Sequence, residues 1–150
     1  MGIDQDIQTK FRNEYQKATV NIIYTYNWMT ERTKEIFASA DITPQQFNIL
    51  RILRGSLPNP LSTLQIRERM LDKMSDTSRI VDRLIAKGLV KKGTCKTDRR
   101  LVDVIITDKG KKVLEKLDAR QDEMDNIMGN LSKKEALTLS ELLDKMRGSK

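Results

Sequence analysis

Two short helical patterns followed by two alternating ones fill residues 62–107, and few folds accept that order in so short a span. The first pattern opens at Ser62. Ser62 and Gln65 have the S-x-x-Q spacing of a capping box, in which two side chains satisfy N–H groups that a helix start leaves unbonded. Its apolar residues are Leu64, Ile66 and Met70. After a short mixed linker, residues 71–74, Ser75 offers a hydroxyl as a second N-cap. Thr77, Ile80, Val81, Leu84 and Ile85 then recur at helical spacing and are expected to face inward, which leaves Asp76, Ser78, Arg79, Asp82 and Arg83 outside or at the boundary. Gly88 is placed to close this helix just past its C-cap, where a left-handed conformation suits glycine.

The period then shortens. Residues 89–92 read as one strand and residues 101–107 as another, with Val102, Val104 and Ile106 on one face. Between them lies Gly93-Thr94-Cys95-Lys96-Thr97-Asp98-Arg99-Arg100, a charged tip. Helix, turn, helix and charged hairpin in this order make a winged helix-turn-helix, a device for gripping duplex DNA in which the second helix enters the major groove. The candidate DNA contacts are Ser62 at the first helix and Ser75, Asp76, Thr77, Ser78, Arg79 and Arg83 on the second. The wing adds Lys96, Asp98, Arg99 and Arg100. Arg79, one turn into the second helix, is placed for a guanine edge. Arg100 suits a narrow A·T-rich minor groove, where negative potential concentrates, with Asp98 positioned to hold its guanidinium. Asp76 and Asp82 conflict with phosphate, so they either accept from cytosine amines or pair with Arg79 and Arg83.

Charge marks the same stretch without reference to any motif. Residues 62–112 hold 14 of the 28 Lys and Arg but 7 of the 21 Asp and Glu, a net +7 that equals the charge of the whole chain. Residues 1–61 carry +1 and residues 113–150 carry −1. A basic segment between neutral flanks is the footprint of a polyanion-binding surface. The alternative, a winged helix serving as a protein-protein adaptor, has no need of that concentration or of Arg99 and Arg100 at the tip.

The run SDTSRIVDRLIAKGLV from Ser75 to Val90, then Asp98-Arg99-Arg100, then Ile106-Thr107-Asp108-Lys109-Gly110, resembles the MarR family of bacterial transcriptional regulators. That family's pattern is a recognition helix ending in a leucine, a glycine turn and a hydrophobic strand. A D-x-R wing follows, then leucine-threonine-x-x-glycine. Asp98 and Arg100 match the D-x-R, and Ile106 stands where the leucine would be. The likeness extends loosely over all 150 residues. It implies a mainly α fold with a small β-wing, in which N- and C-terminal dimerisation helices flank a winged helix-turn-helix. Residues 4–40 and 108–147 would be the dimerisation helices and 43–107 the DNA-binding region of a single domain, with Leu61 as a minimal third strand. The implied function is a homodimeric, sequence-specific regulator of transcription, read here as a repressor, on a pseudo-palindromic operator in double-stranded DNA. In proteins of this kind small aromatic or phenolic effectors bind where the dimerisation helices meet the winged region. Among the aromatic residues of the first two helices, Trp28 and Phe47 are the candidate contacts for one. A ligand-independent DNA-binding protein is the other form.

The flanks fit this frame. Residues 4–37 carry a helical pattern without Gly or Pro, with Ile7, Phe11, Tyr15, Ala18, Ile22, Met29 and Ile36 on one stripe and Val20, Tyr24 and Trp28 on a second. Some 30 helical residues would span roughly 45 Å, longer than a small domain covers, so part of this surface calls for a partner chain. Thr43, Pro44 and Gln46 open the next helix as cap, first residue and capping-box partner. It carries Phe47, Leu50 and Leu53. Thr107 caps a helix with Val113, Leu114, Leu117, Met124 and Met128 inside, which Gly129 and Asn130 end. Ser132 and Glu135 box the last helix, whose apolar residues are Ala136, Leu139, Leu143 and Met146.

Composition excludes much else. The chain has no histidine and a single cysteine. Histidine triads, histidine bases, histidine metal sites, intrachain disulfides and Cys-rich zinc sites are therefore out. No enzyme activity, cofactor or metal is expected. No apolar run approaches the ~20 residues of a membrane span, and Asp4, Asp6 and Lys10 interrupt any leader pattern, so a cytoplasmic protein is expected. Cys95, beside Lys96, reads first as an incidental thiol and only second as an oxidant sensor.

Overall fold

The computed structural model describes residues 2–94 and 102–149. They fall into two compact units, Ile36–Asp122 and the pair of segments Met1–Glu35 and Glu123–Lys150. The observed architecture is the expected one, mainly helical with a small antiparallel sheet.

The winged unit is built around α3 (Pro44–Ser56). Thr43 caps it, and Gln46 completes the box by returning its side chain to the Thr43 N–H. Ile49, Leu50 and Leu53 are at most 1% exposed and form the centre of the core. Phe47 packs on Phe37 with ring centroids 5.1 Å apart. The chain continues through β1 (Leu61–Ser62), α4 (Thr63–Arg69), α5 (Thr77–Ala86), β2 (Val90–Thr94), β3 (Val102–Ile106) and α6 (Asp108–Asp118). The sheet order is β1-β3-β2, all antiparallel, with Leu61 and Lys92 each opposite Val104 and Val90 opposite Ile106. Leu61 is thus the minimal third strand. Ile66, Leu84, Val90, Val104, Leu114 and Leu117 close the core against α3.

Two local devices fix the corner where α5 hands over to the sheet. Gly88 takes φ 75°. Its N–H bonds to Ile85 O and that of Leu89 to Leu84 O, the paired bonds of a Schellman motif. Thr107 then caps α6 while its own hydroxyl donates to Gly88 O at 2.7 Å. Three residues on, Gly110 packs so closely that a Cβ would collide with the Leu89 carbonyl oxygen and with Ile106. The threonine-x-x-glycine spacing is therefore a packing requirement between the start of α6 and the end of α5.

The other unit consists of α1 (Ile3–Asp6), most of α2 (Glu14–Ser39), the end of α7 (Gln121–Asp125), a 3-10 turn (Asn126–Met128) and α8 (Lys133–Met146). The single helix expected over residues 4–37 is two. Gln8 turns left-handed at φ 52°, and α2 restarts where Asn13 Oδ1 accepts the Gln16 N–H at 2.9 Å. The helix expected from Thr107 to Gly129 is also divided, because the Arg120 N–H bonds back only three residues to Leu117 O and α6 stops at Asp118. α6 lies within the winged unit, whereas the sequence groups residues 108–147 with the flanking helices. Ser132 and Glu135 form their capping box on α8. No described helix is long and apolar enough to cross a membrane, and no three described His, Cys, Asp or Glu side chains group as a metal site.

Candidate nucleic-acid interface

The outward face of α5 is the feature around which a site assembles. The helix starts one residue later than the sequence suggests. Asp76, not Ser75, is the N-cap, its carboxylate accepting the Arg79 N–H at 3.2 Å. An anionic cap satisfies the free N–H and also meets the positive end of the helix dipole. Ser75 instead belongs to the turn, where its N–H bonds to Asp72 O. Thr77, Val81 and Leu84 face the core, and Ile80 and Ile85 are half-buried. Asp76, Ser78, Arg79, Asp82 and Arg83 are all exposed, as the spacing predicts.

The carboxylate conflict has a structural resolution. Asp76 lies 3.9 Å from Arg79 Nε, and Asp82 takes Lys92 of β2 at 3.4 Å instead of an arginine of its own helix. The second pair joins the exposed face of α5 to β2, which exposes Lys91 and Lys92. Arg83 and Arg79 keep their guanidiniums outward. A cleft of about 490 Å³ runs beside this face, lined by Thr63, Leu64 and Arg67 of α4, by Met74 to Asp76 of the turn and by the first two residues of α5.

Not every candidate residue reaches that surface. Ser62 is 6% exposed and Thr77 4%, so their side chains lie inside. The Ser62 hydroxyl is occupied by the Gln65 N–H. Leu64, expected inside, is 59% exposed. Ile66 and Met70 sit one turn apart on the buried face, and a residue two positions before Ile66 points about 200° away from it. Lys96, Asp98, Arg99, Arg100 and Cys95 lie outside the described residues. Trp28 is half-buried beneath the Arg32 guanidinium, 4.1 Å from the ring centroid, and Phe47 is half-buried against Phe37.

Sequence reasoning passed over Arg67, Lys91, Lys92 and Asn48. The lysines were legible as part of the basic stretch. Asn48 was detectable only as an amide set in the apolar run Phe47-Asn48-Ile49-Leu50.

Comparison with known proteins gives one answer. A family model described as the MarR family matches residues 40–101. A MarR transcription factor from Planctomyces limnophilus is 32% identical, over 90% of this chain and 98% of that one, with a TM-score of 0.66. A mutant MarR from E. coli, solved in complex with operator DNA, is 25% identical over 92% of this chain and 99% of its own, with a TM-score of 0.80. BpsR from Bordetella bronchiseptica, whose DNA binding is regulated by 6-hydroxynicotinic acid, shares the fold at 19% identity. That match has a TM-score of 0.81 and covers 94% of this chain and 100% of that chain.

Proposed function

This chain belongs to the MarR family of DNA-binding transcription regulators, which are not enzymes, and we propose that it is a homodimeric repressor reading a pseudo-palindromic operator in double-stranded DNA. The observation that carries the reading is the outward face of α5. There Ser78, Arg79 and Arg83 are exposed beside a basic strand, over a helix start held by Asp76. Arg79 reads a guanine edge in the major groove, and Ser78 and Arg83 flank it. Lys91 and Lys92 neutralise phosphates, and Arg100 on the wing enters the minor groove. Two-fold symmetry puts the half-sites about 10 bp apart, one helical turn.

Dimerisation runs through the helix unit, which is where apolar side chains lie exposed in the single chain, among them Ile23, Tyr26, Leu137 and Leu142. The effector is a small aromatic or phenolic compound. Such a ligand acts only through its differential affinity for the DNA-competent and incompetent forms. Salicylate titrated into the free protein and into its operator complex tests this. Without binding and without weakening of the complex, the regulator is constitutive.

Selection of bound duplexes from random DNA supplies the operator, and Arg79→Ala then tests the central assignment. The variant loses about 1–3 kcal/mol of discrimination at one position of each half-site, so operator and random affinities converge. Arg100→Ala weakens both more evenly and flattens the salt dependence. Wild-type binding by both variants would move the protein to the adaptor class.

A further inference from the structure

We propose that Asn48 is a positioning residue for DNA reading: from the middle of α3 it fixes the turn that aims α5. The inference rests on the DNA-binding reading above. Asn48 is 5% exposed, on the same helix as the core residues Ile49, Leu50 and Leu53. Its Oδ1 accepts the Leu71 N–H at 2.9 Å, a bond that reaches across 23 residues to the first residue of the α4–α5 turn.

Between its buried ends, Met70 and Thr77, that turn lies mostly exposed. Leu71 and Met74 are 81% and 92% exposed, and Asp72 and Lys73 are exposed between them. Its other bonds are local. Asp72 accepts the Met74 N–H through its side chain and the Ser75 N–H through its carbonyl, and the Lys73 ammonium donates to the Glu68 carbonyl oxygen at the end of α4. Local bonds give a turn its shape but do not set where it sits on the domain. Among the bonds of the turn, the one to Asn48 is the tie to α3, and Leu71 precedes the Asp76 cap closely enough that a shift at one carries into the other.

A second observation points the same way. Among the described residues, the buried side-chain polar atoms without a hydrogen-bond partner are Asn48 Nδ2 and Thr77 Oγ1. They mark the two ends of this turn, Asn48 at its first residue and Thr77 at the first residue of α5. A buried donor left unpaired is destabilising, and a leucine at position 48 would avoid it. An amide there makes physical sense through its other atom, the oxygen that holds Leu71. The site favours a defined turn over maximal stability, a pattern expected where function constrains a fold.

The test compares Asn48→Leu with Asn48→Asp in the full chain, using the selected operator, a scrambled duplex, thermal melting and amide exchange. Asn48→Leu melts no lower than the unmutated protein, exchanges its Leu71 amide faster and loses about tenfold in operator affinity, with scrambled-duplex affinity unchanged. Asn48→Asp keeps an oxygen for the Leu71 N–H and recovers most of the discrimination. Full discrimination in Asn48→Leu overturns the proposal, as does a parallel loss of operator binding, scrambled-duplex binding and melting temperature, which is what a merely structural residue gives. If Asn48→Leu does not fold, an amide-to-ester replacement at Leu71 removes the donor alone. Reduced discrimination in the ester supports the assignment and full discrimination overturns it. An unmutated protein that cannot tell operator from scrambled duplex overturns the DNA-binding reading itself.

Discussion

The two units of this chain bury their apolar residues very differently. Of the eighteen buried hydrophobic residues among those described, seventeen lie in Ile36–Asp122 and one, Ile3, in the helix unit. Of the fourteen exposed large hydrophobic residues among those described, eleven lie in the helix unit. The winged unit has a core of its own and can present a fixed polar face. The helix unit has apolar side chains at helical spacing and almost nothing of its own to bury them in. The proposed dimer would cover that surface, and in a two-fold regulator such a contact sets the spacing of the two reading heads. In the dimer proposed above, the unit without a core would thereby set the spacing at which the units with one bind.

The sharpest way to break that comparison is to charge the uncovered face. Ile23 and Leu142 are 57% and 58% exposed, so aspartates there disturb no core of the single chain. The double variant Ile23→Asp, Leu142→Asp should sediment as a monomer, and its operator affinity should fall by about 10²–10⁴ as the second head is lost. The winged unit should keep its amide spectrum. A dimer that persists, or operator affinity that holds, would show that the apolar face is not what joins the protomers.

The complementary experiment removes a side chain from the finished core. Ile49 is fully buried, and Ile49→Ala should lower stability by about 2–5 kcal/mol through lost burial and an unfilled cavity. Denaturant melts of the monomeric double variant and of the same protein carrying Ile49→Ala would isolate the effect from dimerisation. A loss below about 1 kcal/mol would mean that the site collapses freely and that the core is less consolidated than its burial suggests.

The same contrast explains which features the sequence disclosed. The capping boxes at Thr43, Ser62 and Ser132, the Thr107 cap and the Gly88 turn involve residues a few positions apart, so local spacing carries the whole signal. The inward face of α5 was legible for the same reason. What local spacing did not carry was competition. Ser75 and Asp76 are both competent caps, and it is Asp76 whose side chain takes the Arg79 N–H while the Ser75 N–H bonds within the turn to Asp72. The break at Gln8 falls in a run without Gly or Pro, where propensity favours continuation. The Asn48–Leu71 bond spans 23 residues, and a single sequence offers no local trace of such a pair. The wing-tip candidates Lys96, Asp98, Arg99 and Arg100 still rest on their sequence pattern.

The competition between caps yields a smaller, well-defined effect. Asp76→Ala should cost about 1 kcal/mol of stability and loosen the first turn of α5. Ser75→Ala should cost much less, because the side chain of Ser75 is not the one that caps the helix. Chemical denaturation of the two variants settles the order, and equal losses would return Ser75 to the role its position suggested. The Asp76 variant should also lose operator discrimination, since Arg79 then has neither its cap bond nor its neighbouring carboxylate.

The smallest expected effect lies at the start of α8, and acid reveals it. The Glu135 carboxyl is held below the ordinary glutamate value, first by the Ser132 backbone N–H and then by the Ser132 hydroxyl, against a slight desolvation. A depressed value in the folded chain means that the ionised form is preferred there. The carboxylate's contribution is therefore complete at neutral pH, starts to fade as pH falls below the ordinary glutamate value and is gone below the depressed one. Glu135→Gln keeps an acceptor for the Ser132 N–H but carries no charge toward the helix N-terminus. The unmutated protein should thus protect the first amides of α8 slightly better at neutral pH, and the difference should vanish in acid as Glu135 protonates. Because the group is fully exposed, the change should be confined to amide exchange at residues 133–136 and should leave the winged unit's melting unaffected. A difference that grew toward low pH would reverse the sign and remove the charged cap from the account of this helix.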